Sequence, residues 1–350
     1  MKIGIDIRKI ADYGIGTHIK NVVLSAAQIA GQHEFYFYYD PSNPIEVEPG
    51  YHLEAEPAGK YSLREHFSLA QKAKANQIEL FHSPHYTLPL RLDCRCIVTV
   101  HDMIHLKFQE YFPAWKVQAA KYVLRRATQK SEKIIVVSKT TRADLMEWMP
   151  ELESKITVIY NRLSSDWFQP PPELDLSKAG IPRDFILYVG NFKKHKGIET
   201  LIRAYASKPN LPPLILAGQN HDAEHELTEK ILSLPNVRLL GFAGGNFLRA
   251  LYCNAMFFVF PSLYEGFGYP PLEAMASGCP VLSSDAPAMK EVLGDSAEYF
   301  ARGNFEDLLS KIEKICGDTR RRKFLSEAGM ENARKYTSEE PLKKILELWS

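Results

Sequence analysis

The fold class that this sequence predicts is α/β, with two doubly wound, Rossmann-like domains facing a cleft. Three observations predict it. Short β-rich runs alternate with amphipathic stretches along the chain, the rhythm of parallel sheets covered by helices on both faces. At 350 residues the chain is long for a single core, and two domains are the expectation. A proline run, Asp166-Trp-Phe-Gln-Pro-Pro-Pro172, suits neither helix nor strand, and the strand–helix rhythm restarts after it.

In the first half the strand-like runs are Lys2–Ile7, Glu34–Tyr39, Ile78–His82, Cys96–His101, Lys133–Ser138 and Ile156–Tyr160. Helical patterns fill the gaps at Gly16–Ala30, Arg64–Ala75, Pro113–Gln129 and Thr140–Trp148. In the second half the strand-like runs are Phe185–Gly190, Leu214–Gly218, Val237–Gly241, Met256–Pro261 and Pro280–Ser284. Helices are expected at Gly197–Ala206, Ala223–Ser233, Gly245–Cys253 and Pro271–Ser277. From about Asn304 onward the apolar spacing is helical only, ending in Leu342 to Trp349.

Composition excludes several function classes. Hydrophobic content of 45% and charged content of 24% belong to an ordinary globular protein. A formal net charge of +1 gives no support to general nucleic-acid binding. The five cysteines are scattered and show no zinc spacing with histidine, so reduced thiols are expected. The opening Met-Lys-Ile-Gly-Ile-Asp-Ile turns polar too soon for a signal peptide, and no apolar run is long enough to span a bilayer. The expected location is the cytoplasm. A basic stretch from Lys116 to Lys130 is read as a solvated helix face, with peripheral contact at the inner face of the membrane as the lesser reading.

The stretch that says most about chemistry is Ser262-Leu-Tyr-Glu-Gly-Phe-Gly-Tyr-Pro-Pro-Leu-Glu-Ala-Met-Ala-Ser-Gly-Cys-Pro-Val281. An apolar run ends before Glu265, and glycines at 266 and 268 let backbone come close to a ligand. Pro270 and Pro271 suit a first helical turn, which places Glu273 near a helix N-terminus. A strand, a glycine loop and a helix start make an anion-binding architecture, and two carboxylates beside it can accept from sugar hydroxyls. This stretch resembles the Glu-x7-Glu motif of retaining glycosyltransferases of the two-domain GT-B type, most closely family 4. The resemblance covers nearly the whole chain and is most specific here.

The resemblance implies a GT-B fold, with an acceptor-side domain over 1–168, a nucleotide-sugar-binding domain over 169–335, and a last helix, 336–350, packing back on the first domain. It implies a hexosyltransferase acting in polysaccharide biosynthesis, using a nucleotide-diphosphate sugar donor and a glycan, lipid-linked or small-molecule acceptor. In the family Glu265 contacts donor-sugar hydroxyls and Glu273 holds the ribose, with Gly266, Phe267, Gly268 and Tyr269 around the donor. GDP-mannose is the favoured donor, because the opening Gly-Ile-Gly-Thr and the His-Asp element look most like bacterial mannosyltransferases; UDP-glucose is next.

Four further motifs fit this frame. Gly14 and Gly16, in Asp12-Tyr-Gly-Ile-Gly-Thr-His18, match the family's Gly-rich loop over the donor phosphates. His101, in Thr99-Val-His-Asp102, stands at a strand end, and in the family such a histidine points at the donor sugar near its reacting centre. The segment Tyr188-Val-Gly-Asn-Phe-Lys-Lys-His-Lys-Gly197 can clamp a diphosphate. Lys196 aligns with the family lysine, but no arginine occurs here, so Lys194 or His195 is expected to cover part of its role, with Asn191 nearby. Phe242, in Gly241-Phe-Ala-Gly-Gly-Asn246, lies in the loop that the family sets against the nucleotide base; Asn161-Arg162 is read as structural.

There is no Asp-x-Asp and no Walker-type Gly-Lys-Ser/Thr, so no metal and no cofactor is expected. Two alternatives share this architecture: a sugar-nucleotide 2-epimerase, and a catalytically inactive binding subunit of a glycan-assembly complex. A nicotinamide-dependent oxidoreductase is disfavoured by the incomplete glycine fingerprint.

Overall fold

The structure, a computed structural model, describes residues 1–29, 31–43, 50–59, 62–89, 91–170, 173–218 and 225–350. Of the sequence features above, Ala30, Pro171, Pro172 and residues 223–224 of the helix expected at Ala223–Ser233 lie outside them. Two compact units are present, Met1–Arg162 with Ser338–Ser350, and Leu163–Thr337.

The first unit runs β1 (Lys2–Asp6), α1 (Tyr13–Gln28), β2 (Glu34–Tyr39), β3 (His52–Ala55), α2 (Leu63–Ala75), β4 (Leu80–Ser83), β5 (Arg95–Val100), α3 (Ile104–Lys107), α4 (Ala114–Lys130), β6 (Lys133–Val136), α5 (Lys139–Trp148) and β7 (Ile156–Val158). The second runs β8 (Ile186–Val189), α6 (Ile198–Ser207), β9 (Leu214–Ala217), α7 (His225–Ser233), β10 (Val237–Gly241), α8 (Gly245–Asn254), β11 (Phe257–Phe260), α9 (Tyr269–Ala276), β12 (Val281–Ser284), α10 (Pro287–Leu293), β13 (Glu298–Phe300), α11 (Phe305–Gly317) and α12 (Thr319–Arg334). The last helix, α13 (Glu340–Trp349), belongs to the first unit and packs on α1.

Each unit holds one all-parallel sheet. The first is ordered β3-β2-β1-β4-β5-β6-β7 and the second β10-β9-β8-β11-β12-β13. Strand order therefore reverses between β1 and β4 and between β8 and β11, and α/β proteins place ligands beyond the strands' carboxyl ends at such reversals. The central strands read as continuous apolar runs because both faces are covered; β11, Phe-Phe-Val-Phe, is buried throughout.

The structure differs from the sequence expectation at weak signals. β3 is an edge strand, largely exposed and without an apolar run, and β13 has three residues, so neither stood out in the sequence. The seven-residue α10 was also missed. α1 begins at Tyr13, so Gly14 and Gly16 stand in its first turn instead of in a loop ahead of it. The reason is packing: a Cβ on Gly16 would strike the carbonyl oxygen of Ile10, and the Gly16 N–H already bonds the Asp12 carbonyl. α9 starts at Tyr269, two residues before Pro271, since Gly268 at φ 96° turns the chain into it.

The core of the first unit contains histidines held neutral by their surroundings. His18 donates from Nδ1 to Asn161 Oδ1 (2.9 Å) and accepts at Nε2 from the Thr99 hydroxyl (3.1 Å). His82 Nδ1 accepts from the indole N–H of the fully buried Trp349 at 3.1 Å, which ties α13 to β4. Burial, and then neighbouring histidines, push the pKa of His18 and His82 down to about 3. Burial brings His101 to about 4 and lowers His85 in the same direction.

These histidines make the first unit acid-sensitive. Their folded values lie below the ordinary 6.5, so the unfolded chain takes up protons that the folded unit refuses. Stability is full about one pH unit above 6.5 and declines as the pH falls through 6.5 toward 4. Urea midpoints of the intact protein should drop steadily between about pH 7.5 and 5.5, above the main carboxylate range. A midpoint that is flat or rises over that interval would contradict this assignment.

Candidate active site

In the second unit the loops after β8 and β11 flank the strand-order reversal and are stitched to each other. The Lys194–Lys196 segment forms a single 3-10 turn that ends at Gly197, in the left-handed conformation at φ 65°. A side chain at 197 would run into the Pro261 carbonyl, so only glycine lets the β8 loop lie this close to the β11 loop. The His195 carbonyl accepts from the Leu263 N–H (2.7 Å) and the Ser262 hydroxyl (3.1 Å).

That close approach brings two predicted residues together. Lys196 Nζ forms an ion pair with Glu265 Oε1 at 2.7 Å, and both side chains are largely buried, at 19% and 12% exposure. The Ser262 hydroxyl stands 2.6 Å from the same Glu265 oxygen, and the lysine ammonium lies 5.9 Å above the Phe260 ring. A lysine and a carboxylate are thus held at the end of β11, each positioned by a backbone contact on the opposite loop.

Glu273 follows on α9, where its side chain is partly buried. Burial pushes its carboxyl pKa up to about 7, against a weaker opposing effect of the Tyr252 hydroxyl, which donates to Oε2 at 3.4 Å. The buried Tyr269 hydroxyl has no hydrogen-bond partner among the described residues. Phe267 is buried in an edge-on arrangement with Tyr269 (5.5 Å) and Tyr336 (5.6 Å), so it serves the packing beneath the loop. Gly266 lies in the same turn and is buried.

The other predicted residues of this unit are more dispersed. The Asn191 carbonyl accepts from the Tyr188 hydroxyl at 2.7 Å, which closes the turn after β8. Lys194 is exposed on the 3-10 turn, and His195 is half-buried. Phe242 is 65% exposed beyond the end of β10, which is two strands from β8, roughly 10 Å across the sheet.

In the first unit His101 sits just past β5. Its Nε2 donates to the Pro84 carbonyl at 2.8 Å, which fixes Nδ1 as the acceptor atom of the neutral ring. Its own carbonyl accepts from the Thr141 hydroxyl at 3.2 Å, and its ring meets His18 edge-on at 4.9 Å. Sequence reasoning missed His18, whose bonds reach residues 81 and 143 positions away. It also missed the contact of Ser262 with Glu265, although Ser262 opens the motif, and that of Tyr252 with Glu273, since no local pattern distinguishes Tyr252.

Comparison with known proteins agrees with this geometry. Residues 13–164 match the family model described as Glycosyltransferase Family 4, and residues 177–332 match Glycosyl transferases group 1. The chain is 28% identical over 275 residues to O-antigen chain mannosyltransferase B of Escherichia coli, covering 74% of this chain and 71% of that protein. It is 29% identical over 242 residues to O-antigen chain mannosyltransferase RfbU of Salmonella typhimurium, covering 68% of this chain and 65% of the relative. Among solved structures, sucrose-phosphate synthase from Thermosynechococcus elongatus superposes with a TM-score of 0.83 at 21% identity, over 100% of this chain and 98% of that one. With both halves matched and the two parallel sheets in place, the chain belongs to the GT-B glycosyltransferases of group 1 and family 4 and is similar to bacterial mannosyltransferases.

Proposed function

We propose that this glycosyltransferase is a retaining, metal-independent hexosyltransferase. Its donor is a nucleotide-diphosphate sugar, GDP-mannose ahead of UDP-glucose, and its acceptor a glycan, lipid-linked or small-molecule hydroxyl in polysaccharide assembly. The similarity to two O-antigen mannosyltransferases supports mannose as the sugar. The single observation that carries the proposal is the Lys196–Glu265 pair held at the strand-order reversal.

Its chemistry follows from charge. When the bond between the anomeric carbon and the diphosphate breaks, the electron pair leaves with the phosphate oxygen and positive charge grows on the sugar. Lys196 exchanges Glu265 for the diphosphate, and more tightly as negative charge builds during departure. Glu265, released from the lysine, accepts from hydroxyls of the donor sugar. Glu273 accepts from the ribose hydroxyls. The acceptor oxygen bonds the anomeric carbon on the face the phosphate leaves, and its proton passes to the departing phosphate oxygen. In the first unit, His101 offers Nδ1 as the acceptor atom of its neutral ring for a sugar hydroxyl, and in the second unit lysine charge stands where a metal cation would otherwise be required.

Calorimetric titration with GDP, UDP and ADP, in excess EDTA, tests the donor assignment, and tight binding of GDP is expected. Glu265 and Glu273 should then separate. Glu273→Ala should weaken the nucleoside diphosphate by about 1.5–3 kcal/mol, the range of a hydrogen bond to a charged group. Glu265→Ala should leave that affinity unchanged or improved, because Lys196 loses its competitor, while transfer falls by roughly 10- to 100-fold. The two variants having the same effect on nucleotide binding would contradict the division of labour. Because ribose hydroxyls favour the ionised acceptor, affinity should rise with pH through about 7 in the wild type, and Glu273→Gln should remove that rise.

The missing arginine supplies a second test. If Lys194 shares the diphosphate with Lys196, Lys194→Ala should lose both donor affinity and turnover, and Lys194→Arg should retain them. An active Lys194→Ala enzyme would pass the role to His195 or Asn191.

A further inference from the structure

At the amino-terminal edge of the first sheet, opposite the edge where His101 stands, two cysteines lie together. Cys96 is the second residue of β5, and Cys94 sits in the bend that leads into the strand. Residues two apart in an extended chain share a face, with Cα atoms roughly 6.6 Å apart. A disulfide spans Cα separations of about 4.4–6.8 Å, so the pair is within bridging distance.

The side chains are neighbours in space as well as in sequence. Cys96 Sγ donates to the Cys94 carbonyl at 3.3 Å, which folds its thiol back toward residue 94. The two thiols also interact with each other. They differ in access: Cys94 is half-buried, whereas Cys96 is 1% exposed. A reagent in solution therefore reaches Cys94 first.

The surroundings of Cys94 favour its thiolate, which is the nucleophilic form of cysteine. The Cys96 thiol holds the Cys94 pKa below the ordinary cysteine value, and Lys130, the last residue of α4, adds to that effect; burial and the neighbouring Asp93 oppose it. Cys96 is pushed the other way, by the Cys94 sulfur and then by burial, against the charges of Lys130 and Arg126, and keeps its proton. Burial raises the remaining three thiols, Cys253, Cys279 and Cys316. A reachable thiolate with a protonated thiol beside it is the arrangement of an attacking and a resolving cysteine.

We infer that Cys94 and Cys96 form a peroxide-reactive thiol pair that closes to a reversible disulfide. The Cys94 thiolate attacks one oxygen of a peroxide. A sulfur–oxygen bond forms, the oxygen–oxygen bond breaks, and its electron pair leaves on hydroxide, giving a sulfenic acid. The Cys96 thiol then attacks the Cys94 sulfur. The sulfur–sulfur bond forms as the sulfur–oxygen bond breaks, and the hydroxyl leaves as water with the Cys96 proton. Together the two sulfurs lose two electrons and the peroxide is reduced to water; an external dithiol reverses the bond. This chemistry is independent of the proposed sugar transfer.

Peptide mapping of the full chain tests the pair. The protein, freed of reductant, is treated with equimolar hydrogen peroxide and then denatured in N-ethylmaleimide. Trypsin cuts after Arg95, so a Cys94–Cys96 disulfide appears as peptides 92–95 and 96–107 joined until dithiothreitol separates them. The treated chain should carry two fewer maleimide groups than the untreated one, with Cys253, Cys279 and Cys316 still alkylated. In Cys96→Ser, Cys94 should stop at the sulfenic acid and be trapped by dimedone; in Cys94→Ser, Cys96 should stay open to the maleimide. Alkylation of both Cys94 and Cys96 after peroxide would overturn the pair. So would oxidation of Cys253, Cys279 or Cys316 ahead of Cys94, or oxidation of Cys96 in Cys94→Ser. The wild-type map decides the bond by itself if a variant does not fold.

Discussion

The close approach of the β8 and β11 loops is the constraint on which the site in the second unit depends. Gly197 permits it, because any larger residue would collide with the Pro261 carbonyl. The His195 carbonyl then captures both Leu263 and Ser262, and Ser262 in turn holds Glu265 against Lys196. The pair is mostly shielded from water, and leaving either charge alone there would cost about 3–5 kcal/mol. Under the proposed function this cost explains the order of events: Lys196 gives up one anion only as it gains another.

Sequence legibility followed locality. The segment from Ser262 to Val281 carries its strand end, its glycines, its helix start and both glutamates in one contiguous run, and the resemblance to the Glu-x7-Glu motif rests on that run. The long apolar strands were readable for the same reason, since a strand buried on both faces has no polar interruption. What stayed hidden depends on partners distant in sequence. The contact between His18 and Asn161 spans 143 positions, and the link between Trp349 and His82 spans 267. Arg8 shows nothing unusual until folding brings Glu65, 57 positions on, against it. Edge strands β3 and β13 lack the burial that would have written itself into their sequence.

Two residues illustrate how structure refines a motif. Gly16 matched a phosphate loop, yet its observed work is to let α1 pack against the Ile10 carbonyl. Phe267 stands inside the most specific motif, yet its ring is buried between Tyr269 and Tyr336 and shapes the loop from beneath. In both cases the packing, and not membership of the motif, accounts for the contacts that the residue makes. In the first unit, burial keeps His18 and His101 uncharged.

The most direct test of the account is the product itself. GDP-mannose or UDP-glucose, incubated with the enzyme and a hydroxyl acceptor in excess EDTA, should yield free nucleoside diphosphate and one new glycosidic bond. NMR of that product should show the anomeric configuration of the donor. The opposite anomer, a nucleoside monophosphate product, or a donor whose sugar is altered at C2 with no acceptor modified would contradict it.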